Sequence, residues 1–109
     1  MAENERRRGP RVPVQLWVEE LSPEGVYYQH TANLSVGGLF LEHTIPHPVG
    51  TVVTLSFALP DGGDKVAVRA EIVNAVIDDA TFGMGLRFLD LGDANTERIR
   101  KFVVAQGAG

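Results

Sequence analysis

Arginines concentrate near the start of the chain, with a spacing that favours capture of a ligand bearing phosphates. The segment Arg6-Arg7-Arg8-Gly9-Pro10-Arg11 holds four of the ten lysines and arginines. A guanidinium donates two parallel hydrogen bonds to phosphate, and its flat face stacks on aromatic rings. A charged cluster at a terminus is, however, more often simply solvated. The arginines alone therefore leave both interpretations open.

A second segment, Asn33-Leu34-Ser35-Val36-Gly37-Gly38, combines short polar side chains with glycines. Asn and Ser supply donors and acceptors at fixed positions, which suits recognition of the edge of a nucleobase. Glycine permits positive φ and lets a ligand approach the backbone closely. A Ser or Asx turn between two strands explains the same residues without any ligand. On its own, this segment does not decide between the two.

Charge is divided unevenly along the chain. Residues 1–11 hold four Arg against two Glu, a balance of +2, and the remaining residues hold six Lys and Arg against twelve Asp and Glu, a balance of −6. A basic arm is thus attached to an acidic body. Such a body repels duplex DNA, which disfavours a nucleic-acid-binding barrel, whereas the arm can still capture a small anion.

The sequence offers little for catalysis or metal binding. It contains no cysteine, and its three histidines are His30, His43 and His47. Pro46 excludes a regular helix that would align His43 with His47. No pair of carboxylates has a spacing that suits acid–base catalysis. We therefore expect no enzymatic activity, no metal and no cofactor.

The chain shows no pattern typical of export or membrane insertion. The opening residues 1–5 are polar and acidic, and no apolar run of the length of a signal peptide follows them. No stretch approaches the roughly 20 apolar residues needed to span a bilayer. We expect a cytoplasmic protein that does not bind a membrane.

After the arm, short segments of alternating apolar residues indicate β-strands. The first runs from Val12 to Val18 with period two, and turn signals at 22–25 and 60–64 separate later strands. The last strand is predicted from Phe82 to Leu89, and Gly83 and Gly85 inside it indicate a bulge or a tight bend. Six strands with no helices between them predict an antiparallel barrel or sandwich.

The C-terminal segment changes period. Ile99, Phe102 and Val103 follow the i, i+3, i+4 spacing of an amphipathic helix. Asp93 is predicted as the N-cap of this helix and Gly107 as its stop. We expect its apolar stripe to pack on the barrel.

Jointly, the two polar segments resemble the paired signature of PilZ domains. This signature is Arg-Arg-x-x-x-Arg just before the first strand and Asn-x-Ser-x-x-Gly near the start of the third. The resemblance continues through Gly37-Gly38-Leu39-Phe40 and residues 83–88. It implies a six-stranded antiparallel β-barrel with a short C-terminal helix, organised as an arm of residues 1–11 and a barrel domain of residues 12–106. The residues that match the signature are Arg6, Arg7, Arg11, Asn33, Ser35 and Gly38.

The resemblance also implies a ligand, the bacterial second messenger cyclic di-GMP, and a role for each matching residue. Arg7 and Arg11 would hold phosphate and stack on guanine. Asn33 and Ser35 would bond the guanine edge and the phosphate region. Asn33 stands where many members of the family have Asp, and it cannot supply a charged acceptor. Gly38 would leave room for the ligand. We include Gly37 in the expected site, and an arginine at position 6 often accompanies binding of an intercalated ligand pair.

Two functions follow from the resemblance as hypotheses. In the first, the arm is flexible until cyclic di-GMP neutralises its arginines, then folds onto the barrel and presents a new surface to an unidentified partner protein. In the second, a module of the same fold binds a protein without any ligand. The intact signature favours the first. A monomer and a homodimer are both compatible with the sequence.

Overall fold

The computed structural model describes residues 11–78 and 82–108, which form antiparallel strands followed by a C-terminal helix. The helix α1 (Asp93–Val103) continues into a π-helical turn, Val104–Ala108. The strands are β1 (Val12–Pro13), β2 (Trp17–Ser22), β3 (Gly25–Leu34), β4 (Gly38–Glu42), β5 (Val52–Phe57), β6 (Val66–Ile77) and β7 (Phe82–Leu89).

These strands close into a barrel. Around the sheet β2 is followed by β5, β6, β7, β4 and β3, and β3 pairs with β2 again. The two-residue β1 lies along the same edge of β3 as β2, with Val12 opposite Leu34. Because β1 and β2 form one interrupted strand, the predicted six-stranded antiparallel barrel with a C-terminal helix is confirmed.

The first strand departs from the prediction of one continuous strand from Val12 to Val18. Residues 14–16 leave the regular ladder because the buried side chain of Thr31 takes part in it. Its hydroxyl accepts a hydrogen bond from the Leu16 N–H at 2.9 Å and donates to the Val14 carbonyl at 2.6 Å. A side-chain hydroxyl thereby satisfies backbone groups that a ladder would otherwise pair.

The glycines of β7 allow close approach between strands. A Cβ on Gly83 would lie 2.3 Å from the Leu41 carbonyl oxygen, and one on Gly85 would lie 2.7 Å from Asn74 Oδ1. The irregularity that these glycines predicted lies on the neighbouring strand, where the register of β6 shifts between Ile72 and Asn74. At Gly83 the obstacle is backbone, so glycine is needed for packing. At Gly85 the obstacle is the side chain of Asn74, whose Oδ1 accepts a hydrogen bond from the Gly85 N–H at 2.9 Å.

The C-terminal helix packs on the barrel as predicted. Ile99 and Val103 are buried, and Phe102 packs against the core. The prediction that Asp93 is the N-cap was wrong. Gly92 occupies that position with φ of 88°, and Asp93 is the first helical residue. The prediction that the helix ends at Gly107 was also wrong, because α1 ends at Val103 and residue 107 lies within the π-helical turn.

The strand registers give the barrel two distinct ends. We call the first the motif end, where β3 stops at Leu34 and the chain turns into β4. The helix lies there too, because Arg98 pairs with Asp61 in the turn between β5 and β6. We call the opposite end the far end. It comprises the β2–β3 turn, the loop of residues 43–51, and the strand ends Glu42, Val52, Ile77 and Phe82.

Candidate ligand-binding site

The structure brings the two sequence motifs into contact at the motif end. Pairing of β1 with β3 sets Pro13 opposite Asn33, so that Arg11 lies next to the same strand. Arg11 Nη1 donates a hydrogen bond to Asn33 Oδ1 at 2.8 Å, and both side chains are half-buried. A guanidinium and an amide held together in this way form a polar corner with donors for phosphate and for a base edge.

Ser35 is buried and forms a turn with the glycines that follow it. Its N–H donates to the Gly38 carbonyl at 2.9 Å, and its Oγ accepts from the Gly37 N–H at 3.2 Å. The Gly37 carbonyl in turn accepts from the Phe88 N–H at 2.9 Å, which fastens the turn to β7. The Ser turn considered as the alternative explanation is therefore present. A ligand contact by Ser35 or Gly37 stays a prediction.

Gly38 is required by the barrel itself. A Cβ at this position would lie 2.0 Å from the carbonyl oxygen of Leu86, because β4 and β7 approach closely here. That distance is far shorter than any van der Waals contact, and the obstacle is backbone. The glycine thus has a structural reason that is independent of room for a ligand.

Part of the predicted site lies outside the described residues. Arg6, Arg7 and most of the other arm residues lie in that part of the chain. The division into an arm of residues 1–11 and a domain of residues 12–106 therefore stays a prediction. Of the predicted ligand contacts, the structure brings Arg11, Asn33, Ser35, Gly37 and Gly38 together at one end of the barrel.

A second arginine lies next to the turn of residues 35–38. Arg87 on β7 is the register partner of Gly38, and its side chain is 46% exposed. Its Nη2 donates to Glu71 Oε1, which places an ion pair beside the turn. The sequence analysis included this arginine only within the segment 83–88 and did not predict it as a site residue. Its position two residues before the end of the last strand could have indicated that it lies near the site.

The structure also contains a buried polar pair that the sequence analysis missed. Glu20 is fully buried on β2, and its Oε2 lies 2.6 Å from His47 Nε2. Gln29 Nε2 donates to the other carboxylate oxygen at 2.9 Å. The period-two pattern that makes Val18 a core residue would have placed Glu20 inside as well. The pair gives His47 a structural partner, and the described residues contain no cluster of three or more metal-ligating side chains.

The fold and the motif geometry agree with the family comparison. The family described as "PilZ domain" matches residues 5–105, so the chain belongs to the PilZ domain family. PilZ domains are non-catalytic and typically bind cyclic di-GMP, so the prediction that this domain has no enzymatic activity is confirmed. No curated protein sequence matches the chain. Among the described residues, no helix is long and apolar enough to cross a membrane.

Solved structures show the same fold at low sequence identity. The chain is similar to the Bacillus subtilis inhibitor of motility MotI/DgrA, with TM-score 0.79 and 15% identity, over 90% of this chain and 49% of that one. It therefore spans about half the length of that protein. It is also similar to the PilZ domain of Escherichia coli YcgR with c-di-GMP (TM-score 0.73, 13% identity, 93% and 92% covered). A third match is the K. pneumonia MrkH–c-di-GMP complex (TM-score 0.72, 17% identity, 91% and 51% covered).

Proposed function

We propose that this chain is a cyclic di-GMP receptor domain that orders its N-terminal arginine arm on ligand binding and signals to a partner protein. The observation that carries the proposal is the hydrogen bond between Arg11 and Asn33. It joins the last arginine of the first motif to the first residue of the second, so that a single ligand can contact both. Two structural matches, YcgR and MrkH, were solved with c-di-GMP.

The chemistry of the ligand suits these side chains. Arg7 and Arg11 would bind the phosphates through charge-assisted hydrogen bonds and stack on guanine faces. Asn33 would offer its amide to the guanine edge, and Arg6 would contact a second ligand in an intercalated pair. Ser35 would contribute mainly by holding the turn, because its hydroxyl is already bonded to the Gly37 N–H at 3.2 Å.

The charge distribution supplies the driving force for the switch. The arm carries +2 and the rest of the chain −6, so neighbouring arginines repel one another until an anion neutralises them. The ligand shifts the equilibrium only as far as it prefers the ordered arm. Ordering of residues 1–12 would then change the surface that a partner protein meets at the motif end.

Titration calorimetry with cyclic di-GMP tests the proposal, with GTP and linear diguanylate as controls. We expect selective binding with Kd of about 1 μM or tighter. Arg7→Ala and Arg11→Ala should each weaken binding by about 2 kcal/mol, roughly thirtyfold, through loss of a charge-assisted contact. Arg100→Ala is the matched control, since Arg100 lies on the helix and pairs with Glu97. Full affinity in both arm variants would exclude the site.

Two further readouts address the arm. Hydrogen exchange of residues 1–12 should slow when ligand is added, and unchanged exchange would exclude the switch. Arg6→Leu should change the number of ligands bound without changing the free energy of unfolding. An unchanged stoichiometry would contradict the role given to Arg6.

The second candidate is a ligand-independent protein-binding module of the same fold. It is favoured by the finding that Ser35 and Gly38 are fully explained by the turn and by strand packing. A domain that no longer binds cyclic di-GMP would still need both residues for its fold. Absence of binding at high concentrations of cyclic di-GMP would favour this candidate.

A further inference from the structure

The exposed apolar side chains of this barrel gather at the end opposite the motifs. Among the described residues, eleven large apolar side chains are exposed, and three of these, Trp17, Tyr28 and Val104, lie elsewhere. The other eight lie on the strand ends, turn and loop that make up the far end: Leu21, Val26, Tyr27, Ile45, Val49, Val52, Ile77 and Phe82. Ile45 is 78% exposed and Ile77 is 73% exposed. Apolar exposure concentrated in one region marks an interaction surface.

The far end also contains a concave site. A cavity of about 600 Å³ opens there, within the size range of ligand and side-chain pockets. Tyr27, Ile45, Pro46 and Phe82 supply its apolar lining, and Glu24 stands among its polar residues. His47 lines the cavity and is held from inside the barrel by Glu20 at 2.6 Å, which ties the loop of residues 43–51 to the interior.

The charge of this end has one sign. The described segments that build it are residues 21–27, 42–53, 74–78 and 82–85, and they contain no lysine or arginine. They contain three carboxylates, Glu24, Glu42 and Asp78. Aromatic rings and carboxylates, with no lysine or arginine in these described segments, favour a positively charged group. The same charges oppose a second copy of this chain and an anionic membrane, because each would present like charge to the surface.

We propose that the far end is a docking surface for a partner protein, and that it binds a segment in which apolar residues alternate with lysine or arginine. An apolar or basic side chain of that segment would enter the cavity, and neighbouring cations would meet Glu24 and Glu42. The cavity is lined by residues of the barrel domain, so we expect the partner to bind in the presence and in the absence of cyclic di-GMP. The domain can thus stay on its partner while the motif end responds to ligand.

Amide NMR with a short synthetic peptide of alternating leucine and lysine tests this surface on the full chain. We expect shifts confined to residues 21–27, 42–53, 74–78 and 82–85. The matched peptide with glutamate in place of lysine should not bind. Val49→Ser should lower the affinity for the peptide about tenfold, because loss of an exposed apolar contact removes part of the interface. Val104→Ser is the matched control, since Val104 is 53% exposed at the motif end and Val49 is 61% exposed at the far end.

The charge is tested separately. Glu24→Gln should weaken binding of the peptide. Glu19→Gln removes the same charge on β2, outside the cavity, and should leave the peptide affinity unchanged. Equal effects of both variants, shifts spread over the whole acidic body, or equal binding of the glutamate peptide would overturn the proposal. So would concentration-dependent dimerisation that Val49→Ser abolishes, because the occupant would then be a second copy. Peptide binding retained in Arg11→Ala separates this surface from the ligand site, so the two proposals can fail independently.

Discussion

At the motif end of the barrel, polar side chains and glycines are engaged by contacts within the chain, whereas at the far end apolar side chains are exposed to solvent. Ser35 bonds its own turn, and Gly38 lies against the backbone of β7. Ile45 and Ile77, by contrast, have most of their surface in water. A motif residue can therefore be required by the fold alone, so a matching motif does not by itself establish a ligand. At the motif end, the hydrogen bond between Arg11 and Asn33 joins the two motifs, and the proposed ligand site rests on this contact.

The largest effect on stability is expected at Gly38. In Gly38→Ala the new Cβ would stand 2.0 Å from the Leu86 carbonyl oxygen, so β4 and β7 must separate. We expect a loss of about 3 kcal/mol in the free energy of unfolding, measured by urea denaturation. Gly63→Ala is the control: its Cβ would meet the terminal nitrogen of the flexible Arg98 side chain at 2.9 Å, which can move. If both variants lose the same stability, the structural role of Gly38 is wrong.

A smaller loss is expected at Glu20, which links the far-end loop to the barrel interior. Glu20→Gln keeps the volume but removes the charge from the hydrogen bonds to His47 and Gln29. Because the site is buried, we expect destabilisation by about 1–2 kcal/mol. Glu19→Gln, one residue earlier and facing solvent beside Tyr28, should change the urea midpoint little. Equal midpoints for wild type and Glu20→Gln would show that the pair does not stabilise this end.

The smallest effect concerns the pH dependence of stability at the motif end. Hydrogen bonds from Arg98 and from the Gly63 N–H lower the pKa of Asp61 from 3.8 to about 2. A carboxyl with a lowered folded-state pKa stabilises the fold above its unfolded-state pKa and loses that contribution as pH falls through the folded value. The contribution of Asp61 should therefore disappear between pH 3.8 and about 2.

Denaturation midpoints across this range check the pH prediction. Asp61→Asn should show a shallower loss of stability with falling pH than wild type. An Asp61→Asn variant with the same slope as wild type would contradict this prediction. The effect is small because the Asp61 side chain is 38% exposed, and solvent screens its pairing with Arg98.

Much of the fold followed from local pattern, and the misses have physical causes. Phe82–Leu89 was predicted with its observed bounds, since its apolar residues are flanked by turn residues. The interruption of the first strand could not be predicted, because it depends on the hydroxyl of Thr31, which is distant in sequence. Asp93 was preferred as N-cap on side-chain chemistry, whereas Gly92 takes the position with a positive φ.

The candidate site was predictable in part. The motifs identified Arg11 and Asn33, and the structure adds that their side chains touch. Sequence spacing could not show that Ser35 bonds to its own turn or that Gly38 is pressed against Leu86, because both facts depend on how β4 meets β7. The far end escaped prediction for the same reason: its apolar residues come from segments that are distant in sequence.

An amide NMR titration of the full chain with cyclic di-GMP tests most directly whether the ligand binds at the motif end. If the ligand binds at the motif end, the largest shifts fall on Arg11 and on residues 33–38, together with new protection in the arm, while the resonances of residues 43–49 at the far end keep their positions. Shifts centred on residues 43–49, or none at Arg11 and Asn33 under saturating ligand, would contradict the assignment of the ligand site to the motif end.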